Sequence, residues 1–415
     1  YIIPLFMNIP KVYNVQSITN ALNEMLKVHP ILGMCIGDEI DVPYLIKGSE
    51  PLIRFESDSI ADEDIVEFLA RPFDLHDSLC RFLIVVDTDG YSLFAVFHHL
   101  IFDALSRRVF ESDLLSILEG ESIGIDDSFL KVSAFSEQIR DSDKYVAAGT
   151  FYESMFVSSD ESFDLLECVG SDGPGSKQID LDLDYDLFKS FLREYGVSDN
   201  VVFTSAFAYT LSRFAGGDNV RFNIIENGRD RFNNYDSIGM FVNTLPLLVD
   251  CKNQSVSSFM EYMSGLVYGV MKYNYYPFRL LANEYAVAPD IIFQFFPSLD
   301  GGDYLLGRFD EYDLLSNRND FISDLTANVI QSGDEYCLFV RYSDKYSLDF
   351  VERFVESYKL ILHGIITFDD LSDINYITCE DIELLDSYNN TEYKLVYDDI
   401  LDVFNDITEF KKMRL

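Results

Sequence analysis

The sequence predicts a mixed α/β protein built as two lobes, and three observations predict it. Segments with strand character alternate with segments of helical spacing through both halves of the 415 residues. One stretch, Val157 to Lys177, breaks the alternation. It holds Ser158-Ser159-Asp160-Glu161-Ser162 and Gly170-Ser171-Asp172-Gly173-Pro174-Gly175, the composition of a linker. With 48% hydrophobic and 15% aromatic residues, the chain can bury substantial cores and is not intrinsically disordered. The expected division is an N-terminal lobe over residues 1–160, a C-terminal lobe over 161–375 and a connector over 376–415.

In the first lobe, Gln16 to Val28 reads as an amphipathic helix. Ile18, Leu22, Met25 and Leu26 share one face, and Pro30 stops it. Leu52 to Phe55 is a short strand, and Ile60 to Leu69 a helix whose acidic start suits a helix N-terminus. Arg81 to Val86 and Ser92 to His98 are apolar runs joined by Asp87-Thr88-Asp89-Gly90, a hairpin signal. Ala104 to Leu118 follows as a helix.

In the second lobe, Tyr185 to Tyr195 and Ser198 to Phe214 read as helices and Asn219 to Ile225 as a strand. Ile238 to Val249 is an apolar run around Asn243. Ser257 to Tyr273 and Asp349 to His363 are helical. Ile291 to Phe296, Thr326 to Ile330 and Tyr336 to Tyr342 are strands. Beyond Asp373 the chain turns polar and asparagine-rich, as a connector leading elsewhere does. No repeat of 20 to 50 residues is present.

Charge and composition narrow the function. Lysine and arginine total 31 against 71 acidic residues, a net charge of −40. Such a surface repels phosphate backbones and anionic lipid, so neither nucleic acid nor a membrane surface is an expected partner. No apolar run reaches the ~18 residues of a membrane span. No signal peptide opens the chain, which starts at Tyr1 within an ordered-looking run and is expected to be part of something longer. The cysteines (Cys35, Cys80, Cys168, Cys251, Cys337 and Cys379) show no metal or disulfide spacing. They suit reduced thiols in a cytoplasmic protein, with no metal expected.

The candidate chemistry lies at His98-His99, where an apolar strand ends, with Asp103 shortly after. Neighbouring strand residues face opposite ways, so one histidine can face a cleft while the other packs. An imidazole near its ordinary pKa is a natural proton acceptor at neutral pH. Spacing alone equally allows two core histidines. Ser106 is close by, but no G-x-S-x-G elbow supports a serine nucleophile. Asn227-Gly228-Arg229-Asp230 reads as a structural turn, and no glycine-rich phosphate loop follows a strand.

These residues carry a resemblance. His98-His99-Leu100-Ile101-Phe102-Asp103-Ala104 resembles the H-H-x-x-x-D-G signature of nonribosomal peptide synthetase condensation domains. Arg71-Pro72-Phe73-Asp74-Leu75 with Arg81 resembles the family's P-F-D-L segment and later arginine. Ile238-Gly239-Met240-Phe241-Val242-Asn243-Thr244 is similar to its I-G-x-F-V-N-T segment, preceded by Gly228-Arg229. His29-Pro30-Ile31-Leu32 resembles the family's R-H-x-x-L-R-T stretch, and Tyr276-Pro277-Phe278 the end of H-Q-D-Y-P-F-E. Leu384-Leu385 and Asn389-Asn390-Thr391 look like a linker entering an adenylation domain. The motifs follow the family's order across nearly the whole chain.

The resemblance implies two chloramphenicol-acetyltransferase-like lobes set as a V around a central tunnel. It implies amide formation between an upstream acyl or peptidyl thioester and a downstream aminoacyl thioester. Both would ride on phosphopantetheine arms of carrier domains, with no cofactor bound by the chain itself. His99 is the expected catalytic residue and His98 a packing residue. Asp103 and Arg81 are expected to form a structural ion pair, and Asn243 to shape the tunnel. Departures also stand in the sequence. Ala104 replaces the signature's glycine, expected to narrow the acceptor's access and to strain the loop if a positive φ is needed there. Leu248 replaces an arginine, and Tyr273-Asn274-Tyr275 replaces H-Q-D. An early serine-alanine-glutamine motif would lie before Tyr1. Rival readings are an epimerization domain, a free-standing acyltransferase and a non-catalytic partner-recruiting module.

Overall fold

A computed structural model describes residues 2–37, 43–57, 60–157, 165, 173–297, 323–391 and 400–412. Tyr1–Ile374 form one compact unit and Asn375–Leu415 a second.

Strand β1 (Ile2–Pro10) belongs to the first sheet. A two-stranded ribbon of β2 (Met34–Gly37) and β3 (Tyr44–Lys47) comes next in the chain. The first sheet then gains β4 (Leu52–Glu56), β5 (Cys80–Val86) and β6 (Gly90–His98), in the order β1-β6-β5-β4. The β5–β6 hairpin forms as expected, with Val86 opposite Tyr91 and Cys80 opposite Phe97, but Gly90 already belongs to β6 without a positive φ, so Thr88 and Asp89 make the connection. Helices α1 (Val15–Val28), α2 (Asp62–Ala70) and α3 (Ala104–Leu118) complete the layer.

The near-continuous apolar run of β5 follows from cover on both faces. Phe82 and Ile84 join a core with Leu22 of α1 and Phe110 of α3. Leu83 and Val85 join a separate cluster with Phe68 of α2. This two-sided cover later decides where Arg81 points.

Two helices that the sequence reading left unassigned, α4 (Ser128–Gln138) and α5 (Asp143–Phe156), precede the second sheet. That sheet comprises β7 (Gly175–Asp180), β8 (Asn219–Glu226), β9 (Asn243–Asp250), β10 (Ile291–Phe296), β11 (Leu325–Ser332) and β12 (Glu335–Tyr342). Its order is β7-β12-β11-β10-β8-β9. Helices α6 (Tyr185–Tyr195), α7 (Asp199–Ala215), α8 (Val256–Lys272), α9 (Phe278–Tyr285) and α10 (Leu348–Thr367) pack with it. Every residue of α7 from Val201 to Ser212 is buried. An all-round apolar helix of this kind belongs inside a layered core rather than at a surface.

Three sequence expectations change. Most of the stretch from Val157 to Lys177 lies outside the described residues, but Gly175 to Lys177 form the start of β7 and pair with β12. The run from Ile238 becomes a strand only at Asn243, because the amides of Ile238, Gly239 and Phe241 bond to the side chains of Asp126, Ser106 and Asp103 instead of a neighbouring strand. The polar tail is partly helical among its described residues, over Cys379–Asn389 and Ile400–Lys412.

Candidate active site

The hairpin ends where the chemistry is expected. His98 closes β6, its ring edge-on to Phe73 at 6.0 Å, and its Nδ1 accepts from the Leu100 amide at 3.1 Å. Burial pushes its pKa down to about 4, so it is neutral at physiological pH. Its ring packs against Phe73. His99 follows on the turn and is half-buried. Its Nδ1 is buried without a hydrogen-bond partner among the described residues. A buried polar atom left unpaired costs free energy and calls for an explanation.

Asp103 ends the turn and caps α3. Its Oδ1 accepts from the Ser106 amide at 2.8 Å, and the Ser106 side chain returns the contact in a capping box. The same oxygen lies 2.6 Å from Arg229 Nη2, in an ion pair with partners 1% and 0% exposed. Its Oδ2 accepts from the Phe241 amide at 3.1 Å. Ser106 Oγ is 2.7 Å from Asp103 Oδ1 and 2.9 Å from the Gly239 carbonyl, its single proton serving one at a time, and it accepts from the Gly239 amide. Ser106 is therefore a buried clip between α3 and the segment before β9, and not a nucleophile.

The expected Arg81–Asp103 pair does not form. Arg81 donates instead to the carbonyls of Phe68, Leu69 and Arg71, and its guanidinium lies 4.2 Å from the Phe73 ring. The reason is the strand's alternation. Arg81 points to the α2 side of β5 with Leu83 and Val85, whereas α3 packs on the other face with Phe82 and Ile84. Burial, with Arg71 nearby, lowers its pKa to about 10, so it stays charged at neutral pH.

Arg229 takes the partner's role. It also donates to the Asn234 and Ser237 carbonyls, and its guanidinium lies 4.4 Å from the Phe241 ring. Gly228 makes this approach possible. Its φ is +68°, and a Cβ there would fall 1.8 Å from the Phe241 carbonyl oxygen.

Ala104 is the first residue of α3 and is exposed. It is not among the residues with positive φ, so the expected backbone strain is absent. A helix start asks nothing of alanine that glycine alone provides. Ala104 does line a cavity of about 360 Å³. Asp103 and Arg108 share that wall, and Glu226, Val242 and Phe295 form part of the opposite one. His99, on the turn leading to Asp103, is not part of the lining.

Asn243 starts β9, but its amide faces Glu226 instead of the cavity, donating to Oε2 at 3.2 Å. Asn274 donates to the same oxygen at 3.1 Å. Burial raises the Glu226 pKa above its ordinary value, against the pull of these amides. The sequence reading missed Glu226. The available signal was a carboxylate closing an apolar strand just before Asn227-Gly228-Arg229.

Among the described residues no three His, Cys, Asp or Glu side chains gather as a metal site, and no helix is long and apolar enough to cross a membrane. Cys80 and Cys251 are buried, their thiols pushed up to about 12, which makes them inert at neutral pH. Cys168 lies outside the described residues.

A condensation-domain family model matches residues 1–381. The chain belongs to the condensation-domain family. Surfactin synthase subunit 2 of Bacillus subtilis (strain 168) is 23% identical over 307 residues, covering 67% of this chain and 8% of that protein. This condensation-family chain thus spans a small part of its relative. The condensation domain from the Monacolin K polyketide synthase MokA superposes with a TM-score of 0.70 at 14% identity, over 89% of this chain and 93% of that one. The epimerization domain from the third module of tyrocidine synthetase B reaches 0.64 at 16% identity, over 88% and 92%. The fold is therefore the chloramphenicol-acetyltransferase-like one that the motifs implied.

Proposed function

We propose that this condensation domain joins two substrates held on carrier domains of a nonribosomal peptide synthetase. The amine of a downstream aminoacyl thioester attacks the carbonyl of an upstream acyl or peptidyl thioester. The C–N bond forms, the C–S bond breaks, the carrier thiol leaves and the amine gives up a proton. In this reading, phosphopantetheine arms bring both substrates between lobes arranged as a V, and an adenylation domain lies beyond residues 376–415. The chain works in the cytoplasm and supplies no cofactor of its own. Tethering removes much of the entropy cost of bringing the two reactants together.

One observation carries the reading. His99 presents an imidazole, with Nδ1 unpaired, on the turn that Asp103, Arg229 and Ser106 hold in place. That ring takes the amine proton or orients the amine while charge develops on the tetrahedral intermediate. His99→Ala is expected to cut amide formation on paired carrier proteins by ~10²–10⁴, with an unchanged melting curve. Turnover near wild type in the folded variant removes His99 from the mechanism. Loss of α-hydrogen from a carrier-bound residue without amide product would favour epimerization instead.

A further inference from the structure

Glu226 closes β8 on the wall of the cavity that Ala104 also lines and is only 8% exposed. Its hydrogen bonds come from uncharged donors: the side-chain amides of Asn243 and Asn274, which converge on Oε2, and the Gly228 backbone amide. Among the described residues no lysine, arginine or histidine pairs with it.

The other carboxylates of that wall are engaged. Asp103 pairs with Arg229, Asp199 with Lys189, and Asp230 accepts from the Tyr235 hydroxyl. Arg108 reaches the cavity from the exposed side of α3 and makes no ion pair with Glu226. Around the carboxylate the wall is largely apolar, with Leu105, Ile225, Val242, Met271 and Phe295 contributing. A buried charge without a counter-charge is expensive, and the cost falls when a ligand brings the opposite charge. An apolar wall ending in one anion complements an aliphatic stem ending in a cation. The cavity volume falls in the range of small-molecule pockets.

We propose that Glu226 is the anionic end of a substrate subsite that takes a residue with an extended cationic side chain, an amine or guanidinium carried on a thioester substrate. Asn243 and Asn274 are its positioning residues. The inference rests on the carrier-substrate reading above, and its test separates the two.

The probes are lysyl- and norleucyl-pantetheine amides, alike in stem and different in charge, titrated calorimetrically into the full chain and into Glu226→Gln. The wild type is expected to bind the lysyl probe about tenfold or more tightly than the norleucyl probe, as suits a charge-assisted hydrogen bond. In Glu226→Gln that ratio collapses towards one. No lysyl preference in the wild type overturns the subsite, and this comparison stands even if the variant fails to fold. A preference that survives in Glu226→Gln, or an equal loss for both probes, also overturns it, the latter by assigning Glu226 a structural role. Amide synthesis with lysine on the donor carrier, then on the acceptor carrier, shows which substrate the subsite reads: the preferred arm is the one whose rate falls selectively in the variant. Amide product without any lysyl preference leaves the reaction standing and removes the subsite. Lysyl-selective binding without amide product from any pair does the reverse.

Discussion

At the residue scale, the site turns on which arginine meets Asp103. The pair with Arg229 is fully buried and bound into the α3 cap, the Ser106 clip and the Phe241 amide. Removing one member strands the other charge, at a cost of about 3–5 kcal/mol. Arg229→Met and Asp103→Ala are therefore expected to lower stability by that amount in urea melts. The double variant should lose less than the sum of the two, because the stranded charge is gone. Arg81→Met should show no such coupling with Asp103→Ala. Additive losses for Arg229 and Asp103, or coupling between Arg81 and Asp103, would reverse the assignment. The sequence reading had the right carboxylate and the wrong cation.

At the scale of elements, α1, α3 and the segment before β9 meet at a buried histidine. His29, at the C-terminus of α1, is 1% exposed. Its Nε2 lies 2.9 Å from Asp113 on α3, and its Nδ1 3.3 Å from Asp126, whose carboxylate also accepts the Ile238 amide. Burial alone pulls the imidazole pKa down, but the hydrogen bonds and charges of Asp113 and Asp126 outweigh it and leave the pKa above 6.5. The ring's contribution is complete below about pH 6.5 and fades as pH rises through the raised folded value. Burial pushes the Asp126 carboxyl up, yet the bonds from His29, Ser128 and Ile238 hold it well below the usual carboxylate range. Its contribution is complete above about pH 4 and fades as pH falls. The clamp is thus strongest between about pH 4 and about pH 6.5. The stability gap between wild type and His29→Gln should shrink from about pH 5.5 to about pH 8.5. A gap that stays constant over that interval would show that His29 acts by packing alone.

For the whole molecule, a net charge of −40 is a destabilising field that no single contact shows. Like charges spread over a compact surface repel, and the unfolded chain relieves that repulsion. Salt screens it, the Debye length falling from about 30 Å at about 0.01 M to about 8 Å at about 0.15 M. The melting temperature is expected to rise over that range by several degrees, with the buried Asp103–Arg229 pair little affected. A melting temperature that falls with salt would mean that the surface pairs, such as Lys177–Glu352 and Lys345–Asp324, outweigh the net repulsion.

The sequence by itself determined the strongly periodic elements and the position of the paired histidines at a strand end. The β5–β6 hairpin, helices α1, α3, α6 and α7 and the strand β10 are local events, set by apolar spacing, caps and a short turn within a few residues of each other. His99 was legible for the same reason, since a strand end places it. Tertiary structure decided what depends on distance. Asp103 and Arg229 lie 126 residues apart, and their meeting depends on which face of β5 carries Arg81 and where the 238–242 segment spends its amides. That Ala104 starts α3 was legible locally, whereas the cavity it lines appeared only in the packed molecule. Glu226 stood in the sequence as a carboxylate closing an apolar strand, but its lack of a partner cation, with the side-chain amides of Asn243 and Asn274 converging on it, shows only in the packed wall.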